Sequence, residues 1–218
     1  VAKGVVDVYI SKELDDNTAI LYVDCAMGIP HNLNTIRSGT VVVLQRDEVK
    51  RDVRLIQDSD KESSYNYMEI SPDNARKLGI RDGMRFILTY DANDKTIQMR
   101  HLASCRAIGM LYSDPRKNYD GVISIGYALL SWLGINATET YISLTKGSLT
   151  KKLKLSIPEN ELEEYFRLSP SNLRAFGLLP RKKHKLEYSQ TTKTLRIVGH
   201  AAVASAKKVK TGSQTRRK

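Results

Sequence analysis

The sequence predicts a mainly β protein with short helices, built as two tandem barrels related by internal duplication. Three observations carry this. The chain has 218 residues, more than one small barrel needs and enough for two domains of about 100 residues each. Residues 65–100 align with residues 163–198 at a constant offset of 98, and a repeat of that length organises a fold before any local signal does. Each copy also spells one local order: strand, short helix, tight turn, strand, strand. Hydrophobic residues at 41% and charged residues at 27% are the balance of a globular chain.

Ten pairs across the offset are identical: Tyr67/Tyr165, Ser71/Ser169, Pro72/Pro170, Asn74/Asn172, Arg76/Arg174, Gly79/Gly177, Leu88/Leu186, Tyr90/Tyr188, Lys95/Lys193 and Thr96/Thr194. Tyr67 to Ile70 alternate apolar with polar and suit a half-buried strand. Ser71-Pro72 opens a short helix, since serine caps the first turn and proline fits the first helical position. Asn74 to Leu78 fill one or two turns, and Gly79 supplies the left-handed stop. Asp82-Gly83 turns the chain into a strand from Met84 to Tyr90. A turn at Asp91–Asp94 leads to its hairpin partner, Thr96–Met99. The second copy repeats this as Phe166–Leu168, a helix over Ser169–Phe176, then Lys185–Tyr188 and Thr194–Val198.

A fainter version precedes each strong one. Ala19–Asp24, Ser38-Gly39 and Thr40–Leu44 read as strand, turn, strand; Gly121–Ile125, Tyr127–Leu133, Gly134 and Thr140–Leu144 read as strand, helix, stop, strand. The chain is thus four related units paired into two lobes: 1–104, 105–205 and a basic tail over 206–218.

Met68 to Phe86, with its strand, short helix ending in Leu78-Gly79-Ile80, Asp82-Gly83 turn and strand, resembles the recurring unit of double-psi β-barrels. It is similar to the amino-terminal domains of the Cdc48/VAT class of AAA ATPases and to AbrB-type swapped-hairpin transcription factors. The resemblance implies two double-psi barrels here. It also implies alternative roles: an adaptor or substrate-recognition module of an AAA-type machine, or a divergent polymerase-like barrel enzyme. In the second lobe Pro180-Arg181-Lys182 stands where Asp82-Gly83-Met84 forms the first turn.

Charge separates the lobes. Residues 1–104 hold 14 Lys and Arg against 16 Asp and Glu, whereas residues 105–218 hold 21 against 8. A field of one sign on half a molecule favours polyanionic partners. The candidates are Lys151, Lys152 and Lys154 on an alternating strand, Arg181, Lys182, Lys183 and Lys185 at a turn and strand start, and the tail residues Lys207, Lys208, Lys210, Arg216, Arg217 and Lys218. Such side chains neutralise phosphates and release counterions, giving affinity for DNA or RNA with little sequence choice. A strand edge and a nearby turn would line one groove.

Little else points to chemistry. Two-metal catalysis needs converging carboxylates, and Asp91-Ala92-Asn93-Asp94 reads instead as ordinary hairpin chemistry. His31, His101, His184 and His200 pair with neither cysteine at zinc-ligand spacing, and His184 reads as one more polar member of a basic strand edge. Trp132 lies in an apolar run and reads as core. No metal, cofactor or catalytic residue is expected. Cys25 and Cys105 form no CxxC and leave a disulfide open, with a reducing compartment the simpler reading. No apolar run reaches the ~20 residues of a membrane span, so the expected setting is intracellular, cytoplasmic or nucleoid-associated. The reading is a non-catalytic nucleic-acid-binding protein acting in transcription or a nucleoprotein assembly, with residues 1–104 contacting a protein partner.

Overall fold

The computed structural model describes residues 1–23, 32–58, 66–116, 118–159 and 161–200. The first half comprises β1 (Ala2–Ile10), β2 (Thr18–Tyr22), β3 (Thr40–Arg46), β4 (Val49–Gln57), β5 (Tyr67–Ile70), α1 (Pro72–Lys77), β6 (Met84–Asp91) and β7 (Thr96–His101). The second comprises β8 (Ser104–Ser113), β9 (Val122–Ile125), α2 (Tyr127–Leu133), β10 (Tyr141–Lys146), β11 (Leu149–Ser156), β12 (Tyr165–Leu168), α3 (Pro170–Ala175), β13 (Lys182–Ser189) and β14 (Thr194–His200). One 3₁₀ turn, Leu33–Thr35, lies between β2 and β3.

Strands β1 to β7 close into one barrel in the order β1-β5-β2-β4-β3-β7-β6. The other seven close as β8-β12-β9-β11-β10-β14-β13, the same order with seven added to every strand number. Register repeats as well. Asp7 pairs Tyr67 on one side and Arg85 on the other, as Met110 pairs Tyr165 and Lys183. The duplication therefore spans both whole barrels, which meet at Leu102-Ala103 between β7 and β8.

A second symmetry lies inside each barrel. Exchanging β1 with β4, β2 with β5 and β3 with β6 turns the parallel β1–β5 pair into the parallel β4–β2 pair. The same exchange turns the antiparallel β1–β6 pair into the antiparallel β4–β3 pair. Strand β7 breaks the symmetry, lying between β3 and β6, parallel to one and antiparallel to the other. Period-2 alternation fills the interiors: Val6, Val8, Val53, Leu55, Phe86 and Leu88 point into the first barrel, and Leu111, Ile142, Leu144, Leu153, Phe166 and Leu186 into the second. Each such side chain contributes about 1.5–3 kcal/mol by leaving water.

The helix entries follow the sequence. Ser71 Oγ accepts from the Asn74 amide at 3.2 Å, and Ser169 Oγ from the Asn172 amide at the same distance. Both helices are followed by glycine in the left-handed region, Gly79 at φ +63° and Gly177 at +57°. Their C-terminal carbonyls are then clamped by a cation from the end of a strand. Arg46 Nη1 donates to Leu78 O and Gly79 O at 2.8 and 2.6 Å, and Lys146 Nζ to Phe176 O and Gly177 O at 2.7 and 3.0 Å. Helix α2 packs close on β8 because β8 carries Gly109 there; an added Cβ would stand 2.6 Å from Leu129 Cδ2. The register equivalent is Val6, whose own side chain fills the first barrel.

Two expectations are corrected. His184 is not a polar edge residue: a closed barrel leaves no strand edge, and alternation along β13 turns the ring inward, 1% exposed and edge-on to Phe166 at 6.1 Å. Trp132 is half-buried on α2 and lines a cavity between the barrels rather than the core. Among the described residues no helix is long and apolar enough to cross a membrane. Cys105 is a buried free thiol, while Cys25 and His31 lie outside the described residues.

Candidate nucleic-acid interface

The predicted basic residues divide into three groups. On β11, Leu153 and Leu155 point inward and Lys152 and Lys154 outward, as the alternation requires. Lys151 is engaged within the fold: its Nζ donates to Asn172 Oδ1 at 2.6 Å, and Asn172 Nδ2 donates to Asp120 O at 2.9 Å. The first barrel builds the same bracket from Arg51 Nε to Asn74 Oδ1 (2.9 Å) and Asn74 Nδ2 to Asp16 O (2.8 Å). Both asparagines are wholly buried, which gives the repeat pair Asn74/Asn172 and the cation facing it a structural task.

Lys182, Lys183 and Lys185 are exposed on β13, and Arg181 is exposed in the preceding turn at φ +60°, its amide donating to Leu111 O at 2.6 Å. Strands β11 and β13 are not neighbours; β10 and β14 stand between them. The two runs are the ends of one curved outer face rather than the walls of one groove. The tail residues Lys207, Lys208, Lys210, Arg216, Arg217 and Lys218 lie outside the described residues.

The strands between supply residues that the charge runs did not reveal. Outward registers run Lys154 to Tyr141, Lys152 to Ser143, and Thr150 to Thr145 to Arg196. From Arg196 the row continues across Glu187 on β13 to Arg106 on β8. One step along, Lys185 pairs Ile108. Arg106, Lys185, Glu187 and Arg196 line an open cleft of about 710 Å³, with Ile108 and Val198 exposed on it. Tyr141 is 47% exposed, and Lys152 Nζ stands 5.0 Å from its ring centre. Each of these sits at an outward position in a strand, so alternation was the available signal.

Glu187 is the only acidic residue in β8, β10, β11, β13 and β14. It accepts from Arg196 Nη2, from Ser104 Oγ at 2.9 Å and from Arg106 Nη2 at 3.4 Å. The hydrogen bond from Arg196, with that from Ser104, holds its carboxyl down to about 2. Two arginines thus flank one fixed carboxylate and keep a net positive row.

The corresponding outer face of the first barrel has another character. Register puts Val41 where Tyr141 stands, Asp52 at Lys152, Ile87 at Lys185 and Gln98 at Arg196, although Arg54 and Lys3 match Lys154 and Arg106. Its β1–β6 side is occupied by the second barrel. Arg85, with a side chain 5% exposed, forks onto Asp7 at 2.8 and 2.7 Å and donates to Trp132 O at 3.3 Å. Burial opposes the charge, but the facing Asp7 carboxylate more than offsets it, so the guanidinium is held above its ordinary value. Gln190 completes the seam, accepting from the Arg85 amide at 2.9 Å and donating to Gly134 O at 2.8 Å and Gly83 O at 3.3 Å.

The Asp91–Asp94 turn is hydrogen-bonded upon itself. Asp91 Oδ1 accepts from the Asn93 amide and Asp94 Oδ1 from the Thr96 amide, each at 2.9 Å. The repeated tyrosines pack: Tyr165 and Tyr188 are 2% exposed, and Tyr67 stacks on Tyr22 at 5.2 Å while its hydroxyl donates to Asp58 Oδ2 at 2.7 Å. Comparison with protein-family models, with curated proteins and with solved structures returns no match.

Proposed function

We propose that the second barrel binds nucleic acid through phosphate contacts on its β11-β10-β14-β13-β8 face, with the basic tail adding to the same field. One observation carries this reading. Between two barrels of identical strand order and register, three outward positions change from Asp52, Ile87 and Gln98 to Lys152, Lys185 and Arg196, while Arg54 and Lys3 already stand at the places of Lys154 and Arg106 and Lys50 gives way to Thr150. A fold needs none of these outward charges, so the net gain is best accounted for by an anionic partner. The exchange symmetry of β1–β3 with β4–β6 supports the finer fold reading of two double-psi barrels. On the same reading the protein is a non-catalytic component of transcription or of a nucleoprotein assembly. The first barrel, which offers the partly exposed Tyr9 and Tyr67 beside Glu69, is left for a protein partner.

The test titrates labelled DNA and RNA, and polyglutamate as an unrelated polyanion, against the full chain over a series of salt concentrations. Log affinity should fall linearly with log salt. Converting the face to the pattern of the first barrel, with Lys152→Asp and Arg196→Gln together, should weaken binding about 10-fold or more and flatten the slope by about 1–2. Removing Lys207–Lys218 should flatten it further. The reading is overturned by an absence of nucleic-acid affinity at low salt, or by polyglutamate binding as tightly as nucleic acid.

A further inference from the structure

Two features of the basic face bear on which form of nucleic acid it takes. The first is curvature. The cationic side chains are not aligned along one strand; they stand on four strands, β11, β14, β13 and β8, of the run β11-β10-β14-β13-β8 in a closed seven-stranded ring. Lys152 and Lys154 stand at one end of this arc, Arg196 near its middle, and Lys185 and Arg106 at the other. The cations therefore reach around more than half of the circumference of a narrow barrel. A duplex, stiff over about 50 nm, touches such a convex wall along a tangent and reaches one end of the arc at a time. A single strand bends within a few nucleotides and reaches all of it.

The second feature is what lies between the charges. Tyr141 presents an aromatic ring at the edge of the arc, 47% exposed and bordered by Lys152 and its register partner Lys154. Ile108 and Val198, 47% and 56% exposed, floor the cleft at the other end between Arg106, Lys185 and Arg196. An exposed ring beside lysines, and an apolar floor beside arginines, suit unpaired bases whose phosphates run alongside. In a duplex the bases are stacked on one another and meet neither. The first barrel carries Val41 and Asp52 at the places of Tyr141 and Lys152, so the ring beside that lysine is not a requirement of the fold.

We infer that the second barrel takes single-stranded nucleic acid, wrapped across β11-β10-β14-β13-β8 with a base stacked on Tyr141. The inference rests on the nucleic-acid reading above. The experiment measures, by fluorescence anisotropy at fixed low salt, binding of one oligonucleotide sequence as a single strand and as a duplex to the full chain and to Tyr141→Ala, Tyr141→Phe and Val41→Ala. The single strand should bind the unaltered chain more tightly than the duplex. Tyr141→Ala should weaken the single strand by about 5- to 100-fold without changing its salt slope, because no phosphate contact is lost. Tyr141→Phe should restore it, and neither the duplex nor Val41→Ala should respond. Thermal unfolding of the variants checks that the barrel is intact. Equal or tighter duplex binding, or a single strand indifferent to Tyr141→Ala, overturns this inference and leaves the nucleic-acid reading standing. No binding of either form overturns both.

Discussion

The two barrels share strand order, register, helix caps and the asparagine bracket, yet they differ in what each turns outward. In the first, the β1–β6 side holds the buried Asp7–Arg85 pair and is closed by Trp132, Gly134 and Gln190 of the second. In the second, the same side holds Met110 and Lys183, and beside them the 710 Å³ cleft stands open. The difference teaches which repeated residues belong to the fold and which to its use. Ser71/Ser169, Asn74/Asn172 and Gly79/Gly177 recur because capping, bracketing and stopping a short helix are needed twice. Asp52 and Lys152, or Gln98 and Arg196, diverge because their side chains leave the barrel.

The largest expected effect sharpens the contrast at the seam. Asp7→Ala leaves Arg85 charged and buried without its partner, and should cost about 3–5 kcal/mol of stability. Lys183→Ala, at the place of Arg85 in the second barrel, is a change at an exposed position and should stay within about 0.5 kcal/mol. Chemical denaturation of the two variants makes the measurement. Equal losses would mean that the seam does not distinguish the barrels energetically.

How much of this was legible in the sequence follows from the offset. The value of 98 holds from β5 to β7, where Tyr67, Arg85 and Thr96 map to Tyr165, Lys183 and Thr194. Over β3 and β4 it is 100, and over β1 it is 103, from Asp7 to Met110. Loops of unequal length absorb these steps, so one constant alignment finds the second half of each barrel and misses β1, β4 and β8. Helix α2 was legible because Tyr127–Leu133 is apolar and ends at glycine; its close seat on β8 rests on Gly109, where the first barrel has Val6, and local pattern does not carry that. The candidate interface was half legible. Runs of lysine announce themselves, whereas Arg106, Tyr141 and Arg196 are single letters whose significance comes from being brought side by side across strands. Lys151 shows the converse, a member of a basic run that the fold employs for itself.

A middle-sized effect separates the barrels by pH. The Glu187 carboxyl is lowered from 4.5 to about 2 by Arg196 and Ser104. A depressed acid contributes stability that is present above about 4.5 and is lost as pH falls from there toward about 2. Its register equivalent in the first barrel is Thr89, which has no such titration. Acid unfolding followed at several pH values should therefore become shallower in Glu187→Gln, within this window only. Because Arg106 and Arg196 are exposed, the effect should fall below that of Asp7→Ala and shrink further in high salt. An unchanged acid limb would show that the ion row contributes nothing to the fold.

The smallest effect concerns one turn. Gly83, at φ +72°, opens β6 in the first barrel, and Arg181, at φ +60°, takes its place before β13. A left-handed residue with a Cβ costs about 1–2 kcal/mol, which Arg181→Gly should relieve. The glycine also loses more chain entropy on folding, about 0.5–1 kcal/mol, so the net gain should be no more than about 1.5 kcal/mol, read as a small rise in melting temperature. The reverse change is not its mirror image. A Cβ on Gly83 would lie 2.2 Å from Asn136 Nδ2 across the seam, so Gly83→Arg meets both backbone strain and a clash with the second barrel. Glycine in the first turn is thus required by the backbone, and a side chain there would also have to displace the Asn136 amide. The second turn faces open space and bears the strain of an arginine. If Arg181 serves the basic face, Arg181→Gly should raise stability while making the salt slope of nucleic-acid binding shallower by up to about 1. A gain in stability with an unchanged slope would assign Arg181 to neither the fold nor the interface.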